Sequence, residues 1–392
     1  MAGDFSQVGI GWAVGMATGW GTYGSSLAVE LARQGIEPAM FIVDPEMRLP
    51  QANIDLLRPA ILKINSWREA ASRGGLVLDF PMLIALGNGL EFADYLGGTR
   101  GRPHVGVPFF ESAVIPPKNL ADAKSRFDLI VAGSTWNADV MAQHGVANVR
   151  TCLQGVDLDL FRPGPKKGRF GDRFTIFSGG KLEYRKGQDL VVAAFKRFHK
   201  SHSDALLVTA WHNPWPQLAK GFANSHHVSL VPGIKPDGSL DIGGWLRLNG
   251  LPPTSFHDLG KLANAETPPV LREMDLAVFP NRCEGGTNLV AMECMASGIP
   301  VVLSRNTGHF DLIKPDNCYS LDVQIPMGEV LKRPDMDGWG ETSVDELVAK
   351  MEQAYTDRAD AARRGAAGAA FMKDWGWPAQ VARLVATLRE FS

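Results

Sequence analysis

Apolar residues in this chain cluster in short, nearly unbroken runs, and between them the apolar positions recur at helical spacing. In the first part the runs are "VGIGWAV", "AMFIVD", "GLVLDF", "MLIALGN", "HVGVPFF" and "FDLIVAGS", with a helix predicted over Ser25 to Gln34 after the first of them. In the second they are "RFTIFSGG", "ALLVTAW", "VSLVPG", "DLAVFP" and "IPVVLS", with helices predicted from Gln188 to His199 and from about Asn288. Short apolar runs alternating with amphipathic helices are the pattern of βαβ units, whose parallel strands are buried on both faces. At the end of the chain, Val381, Leu384, Val385 and Leu388 form one helical stripe, which predicts a docked helix.

The two series are interrupted at "FRPGPKKGRFGDR", where prolines, glycines and basic residues make a poor strand and a poor helix. With 392 residues the chain exceeds what one core usually supports, so two domains are expected. The expected boundaries are a first domain over 1–160, a linker over 161–173, a second domain over 174–372 and a closing helix over 373–392. A formal net charge of −2 gives no global attraction to nucleic acid or an anionic membrane. The four cysteines lack C-x-x-C pairs and histidines at zinc spacing, which argues against a structural metal and fits a reducing cytoplasm. The opening residues lack the basic segment of a secretory leader, and no apolar run approaches the ~20 residues of a spanning helix. At most a peripheral membrane contact, at the inner face, is expected. The clustered aromatics Trp211, Trp215, Trp375 and Trp377 read as core and interdomain packing.

In "ATGWGTYGSSLAVELARQG", Gly19, Gly21 and Gly24 form a G-x-G-x-x-G array running into a helix, and Asp44 follows Gly24 by twenty residues. This is the outline of a dinucleotide-binding fingerprint, which would point to NAD and an oxidoreductase. However, the first apolar run stops at Val14, too far before Gly19 for the tight turn that fingerprint requires. The reading that survives is a glycine-rich strand-to-helix loop with a helix N-terminus suited to an anion.

The richest stretch is "DLAVFPNRCEGGTNLVAMECMASGIPVVLS". A buried strand ends at Phe279-Pro280, a polar loop carries Glu284, Gly285, Gly286 and Thr287, and a helix opens near Asn288 with Glu293 in its second turn. Helix amides and two carboxylates then converge at the carboxyl edge of a sheet, where carboxylates are suited to accept hydrogen bonds from sugar hydroxyls.

That segment resembles the acidic E-x7-E signature of the family-4 retaining glycosyltransferases. "SGGKLEYRKGQDLVVAAF" resembles the same family's G-R-L-x-x-x-K-G element, "CLQGVDLDLFRP" its linker entry and "DWGWPAQVARLV" its closing helix. "GRPHVGVPFFESAVIPP" is similar to relatives with an aromatic-Glu element. Two departures stand out: Glu284 and Glu293 are separated by eight residues, and Lys181 replaces the usual arginine. An extra residue within the helix would swing Glu293 by about 100°, so the insertion is assigned to Gly285-Gly286.

The resemblance implies an α/β GT-B fold: two facing Rossmann-like domains, an interdomain cleft, and a closing helix that crosses back to the first domain. It implies transfer of a sugar, with retention, from a nucleotide-diphosphate sugar to a hydroxyl of a saccharide, lipid-linked or protein-linked acceptor. No metal and no cofactor are expected. Lys181 and Lys186 would stabilise the departing diphosphate, helped by backbone amides of the Gly19 and Gly21 loop and of Thr287, Asn288 and Leu289, with Gly180, Gly285 and Gly286 also on the donor-binding side. Glu293 would hold the nucleotide ribose and Glu284 the donor sugar. On the acceptor side Glu111 would be the glutamate of the aromatic element. Asn88 and His104 are the alternatives for the place where many relatives carry a histidine. The competing readings are a sugar-nucleotide epimerase or phosphorylase of similar fold, a nicotinamide oxidoreductase, and a nucleotide-sugar binding protein without turnover.

Overall fold

The computed structural model describes residues 4–16, 18–44 and 47–392. The chain forms two compact units, one comprising Met1–Gly155, Gly285–Thr287 and Trp375–Ser392, the other Val156–Glu284 and Asn288–Asp374.

The first unit is built on a six-stranded parallel sheet: β1 (Gln7–Val14), β2 (Glu37–Val43), β3 (Met82–Leu86), β4 (His104–Pro108), β5 (Leu129–Ala132) and β6 (Val149–Thr151), in the order β2-β1-β3-β4-β5-β6. Its central strands are apolar on both faces, as helix-covered parallel strands must be. The expected run "GLVLDF" does not become a strand; Val77 makes a single bridge to Arg100. The helix predicted from Ser25 begins earlier, spanning Gly19–Arg33, with the Thr18 hydroxyl capping it by accepting from the Gly21 amide at 3.1 Å. The expected glycine loop is therefore the opening of a helix. A Cβ on Gly21 would lie 2.6 Å from the Gly15 carbonyl oxygen, and one on Gly24 2.8 Å from Trp12 Nε1. These two glycines let the helix press onto the end of β1. The closing helix, Trp377–Glu390, buries Val381, Leu384, Val385 and Leu388 as its periodicity predicts, and Trp377 stacks on Tyr23 of the first helix at 5.8 Å.

The second unit holds β7 (Phe174–Lys181), β8 (Ala205–His212), β9 (Phe256–Asp258), β10 (Leu276–Phe279), β11 (Val301–Ser304) and β12 (Tyr319–Leu321), all parallel, in the order β12-β11-β10-β7-β8-β9. This is the doubly wound arrangement, whose direction of winding reverses between β7 and β10. A continuous core runs under it, from Ile176, Leu207 and Val278 in the sheet to Phe195, Phe198 and Leu347 in the covering helices. The expected strand "VSLVPG" is irregular, while the three-residue strands β6, β9 and β12 carry too little apolar pattern to show in the sequence. Residues of the expected linker are tied down within this unit: the Lys167 and Arg169 amides donate to Glu273, and Lys166 pairs with Asp275 at 2.6 Å. Among the described residues no helix is long and apolar enough to cross a membrane.

Candidate functional site

In an open α/β sheet the crevice for a ligand lies past the carboxyl ends of the strands where the winding reverses. In the second unit that place is flanked by Lys181, the last residue of β7, and by the loop that leaves β10 at Phe279. After Lys181 the chain makes a tight turn at Tyr184–Lys186, closed by Gly187 in the left-handed region with φ of 70°. A Cβ there would collide with the Pro280 carbonyl, so the turn and the β10 loop pack backbone to backbone only because the residue is glycine.

The turn is anchored from below by Arg282, fully buried, which donates to the Tyr184 carbonyl at 2.6 Å and to both Asp189 oxygens at 2.8 and 2.7 Å. Its Nε donates to Glu341 at 2.6 Å, and its own amide donates to the Arg185 carbonyl at 2.7 Å. A buried guanidinium is tolerable only when so engaged.

On this base sit three cations and two carboxylates. Lys186 Nζ pairs with Glu284 Oε1, which also accepts from the Asn281 amide, and Arg185 reaches Glu284 Oε2 at 3.3 Å. Glu183 pairs with Arg185 at 2.7 Å and with Lys181 at 2.9 Å. Three positive charges against two negative leave a surplus of one. Burial alone would push the Glu284 carboxyl up, but Lys186 and Arg185 hold it down at about 2, so it stays ionised. Lys186 is lowered, chiefly by burial and partly offset by Glu284. Lys181 is more open and lies over the Trp215 ring, 5.4 Å from its centroid. The expectation that Trp215 belongs to the packed interior is thus corrected: it is 44% exposed, whereas Trp211, Trp375 and Trp377 are buried.

The Glu284 backbone is fixed as well, its amide donating to the Thr307 hydroxyl at 2.8 Å and its carbonyl accepting from the Gly308 amide at 3.0 Å. Asn288 caps the helix Leu289–Ala296 from the left-handed region, with φ of 63°. Its side-chain amide donates to His309 Nε2 at 3.0 Å, which leaves Nδ1 to donate to the Ser304 carbonyl at 3.2 Å. Burial pushes His309 down to about 4, so this ring is a neutral strut. Gly180 takes a φ of 112° with open space where a Cβ would be. Gly285, Gly286 and Thr287 belong with the first unit: the Ser134 hydroxyl donates to the Gly285 carbonyl at 2.8 Å, and a Cβ on Gly285 would lie 2.6 Å from the Phe110 carbonyl oxygen.

Glu293 lies in the second turn of the Leu289–Ala296 helix, half-buried, with no ion pair to it among the described residues. Burial pushes its carboxyl up to about 8, with a further push from Asp157. A carboxylate in such surroundings gains most from hydroxyl donors that arrive with a ligand.

In the first unit, Asn88 follows β3 and its side-chain oxygen accepts from the Glu111 amide at 2.7 Å, so the structure brings these two residues together at the carboxyl edge of the sheet. His104 is not with them. It is the first residue of β4 and pairs in register with Met82, the first of β3, which places it at the amino edge. There it is buried, stacks on Phe127 at 4.9 Å and is pushed down to about 4, mainly by burial. Its place among the acceptor-side candidates is corrected to a structural one. At the head of the first helix, the Gly21 amide is already engaged by Thr18.

Arg185, Glu183, Asn281, Thr307 and His309 did not stand out in the sequence. Arg185 lies beside Lys186 in the quoted motif, but only the turn closed at Gly187 brings both adjacent cations to Glu284.

Residues 173–324 match the family described as Glycosyl transferases group 1. A GDP-mannose-dependent alpha-(1-6)-phosphatidylinositol monomannoside mannosyltransferase of Mycobacterium tuberculosis is 26% identical over 253 residues, covering 60% of this chain and 54% of that protein. D-inositol 3-phosphate glycosyltransferase 1 of Catenulispora acidiphila is 29% identical over 212 residues, covering 50% and 46%. The chain spans about half the length of these curated relatives. Among solved structures, sucrose-phosphate synthase from Thermosynechococcus elongatus superposes with a TM-score of 0.63 at 16% identity, over 98% of each chain. Anabaena HepE in complex with UDP and glucose gives 0.63 at 14%, over 98% and 100%. Residues 173–324 thus match the group 1 glycosyl transferase family, and the chain has the α/β two-domain fold of the GT-B glycosyltransferases.

Proposed function

We propose that the protein transfers a sugar from a nucleotide-diphosphate sugar to an acceptor hydroxyl, with retention of anomeric configuration and without a metal ion. The observation that carries this reading is the group of Lys181, Arg185 and Lys186, one positive charge in excess, at the sheet's reversal point, with the half-buried carboxyl of Glu293 in the same unit. In such a transfer the bond from the anomeric carbon to the diphosphate breaks, the acceptor oxygen bonds to that carbon, and one proton leaves the acceptor. Negative charge grows on the diphosphate as its bond breaks, and fixed cations stabilise that charge more than they stabilise the bound donor. They supply the counter-charge that a divalent metal provides in other designs. Glu293 would accept hydrogen bonds from the ribose hydroxyls and Glu284 from the donor sugar, once the incoming phosphates draw Lys186 toward themselves.

Asn88 and Glu111 are proposed for the acceptor. The two curated relatives are named for a phosphatidylinositol mannoside and an inositol phosphate, which favours a hydroxyl of a cyclic polyol or saccharide over a protein side chain. The nicotinamide alternative leaves the cation group unexplained, and two of the three glycines that suggested it, Gly21 and Gly24, pack a helix onto a strand.

The test is thermal stabilisation by UDP, GDP, ADP, NAD and NADP, with and without magnesium, on the wild type, Lys186→Ala and Glu293→Gln. Ligand binding to the folded state raises Tm by mass action. A shift with one nucleoside diphosphate, independent of magnesium and reduced in both variants, is expected. A shift with NAD alone, unchanged by either substitution, would overturn the proposal.

A further inference from the structure

Among the described residues, one cluster outside the donor site has the chemistry of a metal centre. The ligand atoms of His226, His227 and Glu341 all lie within 4.8 Å of one another. His227 Nε2 is 3.2 Å from Glu341 Oε1, and the His226 ring lies against the His227 ring with centroids 3.9 Å apart. A lone histidine–glutamate hydrogen bond would explain the first distance, but not a second imidazole brought to the same carboxylate.

The charge beneath this pair supports a cation. Glu341 turns its other oxygen to Arg282, which is also paired with Asp189, and all three side chains are almost wholly buried. One guanidinium against two carboxylates leaves one negative charge without a fixed partner, at the place where the two imidazoles sit. Glu341 Oε2 is taken by Arg282, so Oε1 is the oxygen that faces the imidazoles. Arg282 does not repel a cation strongly, because Asp189 already offsets it.

We propose that His226, His227 and Glu341 bind one divalent cation of the zinc type, with two imidazole nitrogens, one carboxylate oxygen and a water completing the shell. Bonds of roughly 2.0–2.1 Å in a tetrahedral shell separate ligand atoms by about 3.4 Å, so no ligand pair has to close by more than about 1.4 Å on binding, and His227 and Glu341 are already at 3.2 Å. His226, the exposed member, makes that adjustment. The site is structural. It joins the segment around 225–230 to Glu341, and Glu341 to the arginine that donates to the Tyr184 carbonyl beside Lys186. Metal there stiffens the turn carrying the donor-site cations and takes no part in sugar transfer. The pattern was invisible to a search for zinc spacing because Glu341 lies more than a hundred residues beyond the two histidines.

The experiment uses the full chain without a histidine tag, stripped with chelator and dialysed, then titrated with ZnCl2 against a chromophoric competitor. CoCl2 serves as a spectroscopic probe of the coordination shell. One equivalent of zinc, a raised Tm, and the visible absorption of cobalt in a four- or five-coordinate site are expected for the wild type. His226→Ala, a change at an exposed residue that leaves the Arg282 group untouched, should weaken zinc binding at least tenfold and abolish the cobalt band. His257→Ala, at a histidine elsewhere in the unit, should change neither. No saturable binding by the wild type, or equal binding by His226→Ala, would overturn the proposal. Because the donor panel is read with nucleotides and Lys186→Ala, failure here leaves that reading intact, and the reverse holds as well.

Discussion

Both sheets provide a crevice where the winding reverses, yet they furnish it differently. Between β1 and β3, the first unit presents the head of a glycine-bearing helix, Asn88 and the Glu111 amide; the helix beside them packs through aromatic rings, with Trp12 against Tyr23 at 5.4 Å and Trp20 against Phe109 at 4.7 Å. Between β7 and β10, the second unit presents three cations, two carboxylates and a buried arginine that organises them. The shared topology explains where ligands can bind. The difference in charge is the reason the phosphate-bearing donor is proposed for the second unit. The first glycine array looks like a phosphate grip in the sequence, but Gly21 and Gly24 serve packing, while Gly19 faces open space.

The comparison is broken most severely at Lys186. Replacing it with alanine should lower kcat by about 10²–10³-fold, the usual loss for one preorganised charge-stabilising group, measured as release of nucleoside diphosphate in the presence of acceptor. Tm should be followed in parallel, since Glu284 would keep only Arg185 and Asn281. A loss below tenfold would mean that the cation group does not face the diphosphate.

Glu293→Gln should weaken donor binding by roughly 10- to 100-fold, as expected for hydrogen bonds to a charged group, and should remove a pH dependence. The Glu293 carboxyl is raised in the folded state to about 8 from an ordinary 4.5. Its contribution to stability is therefore fully present below the unfolded value and is lost as pH rises through the folded one. Wild type should lose stability relative to the glutamine variant as pH climbs from about 4.5 to 8. Ribose hydroxyls that donate to the carboxylate favour its ionised form, so wild-type donor affinity should rise with pH and level off above about 8. Calorimetry of nucleotide binding across that range, on both proteins, reads both effects. A flat wild-type profile would remove Glu293 from the donor site.

Asn88→Ala should raise the acceptor KM or lower kcat by about 2- to 10-fold, the range of one neutral hydrogen bond, while leaving donor affinity unchanged. A change in donor affinity instead would erase the division between the units. The smallest effect is expected at His104→Phe, where only a 3.4 Å contact from the Gly101 amide is lost and the stack on Phe127 is kept. Stability should fall by no more than about 1.5 kcal/mol, and steady-state kinetics should match the wild type. A kinetic defect would restore His104 to the acceptor side.

The α/β class and the helix stripe of the closing segment were legible because buried parallel strands are continuous apolar runs and a docked helix repeats its apolar positions every three or four residues. "GLVLDF" and "VSLVPG" carry the same local signal and form no strand, while β9 and β12 carry almost none and do, because pairing depends on which neighbour offers a free edge. Lys181 with Lys186, and Glu284 with Glu293, were legible as two local motifs, since residues close in sequence bring their chemistry together wherever the fold puts them. Arg282, Glu341 and His309 were not: each matters through a partner tens of residues or more away. Even Lys181 and Lys186, named from the sequence, could not show there that Glu284 pairs with the second and that Glu183 serves the first.

The sequence by itself determined the strand–helix alternation, the two series and the acidic and basic stretches, because these follow from local pattern and residue chemistry. Tertiary structure alone decided which end of a strand each candidate occupies, which carboxylate is ion-paired and which is raised by burial without an ion pair among the described residues. Those outcomes depend on strand order, on backbone approach at Gly21 and Gly187, and on burial, which turns ordinary carboxyls into one held at about 2 and another raised to about 8.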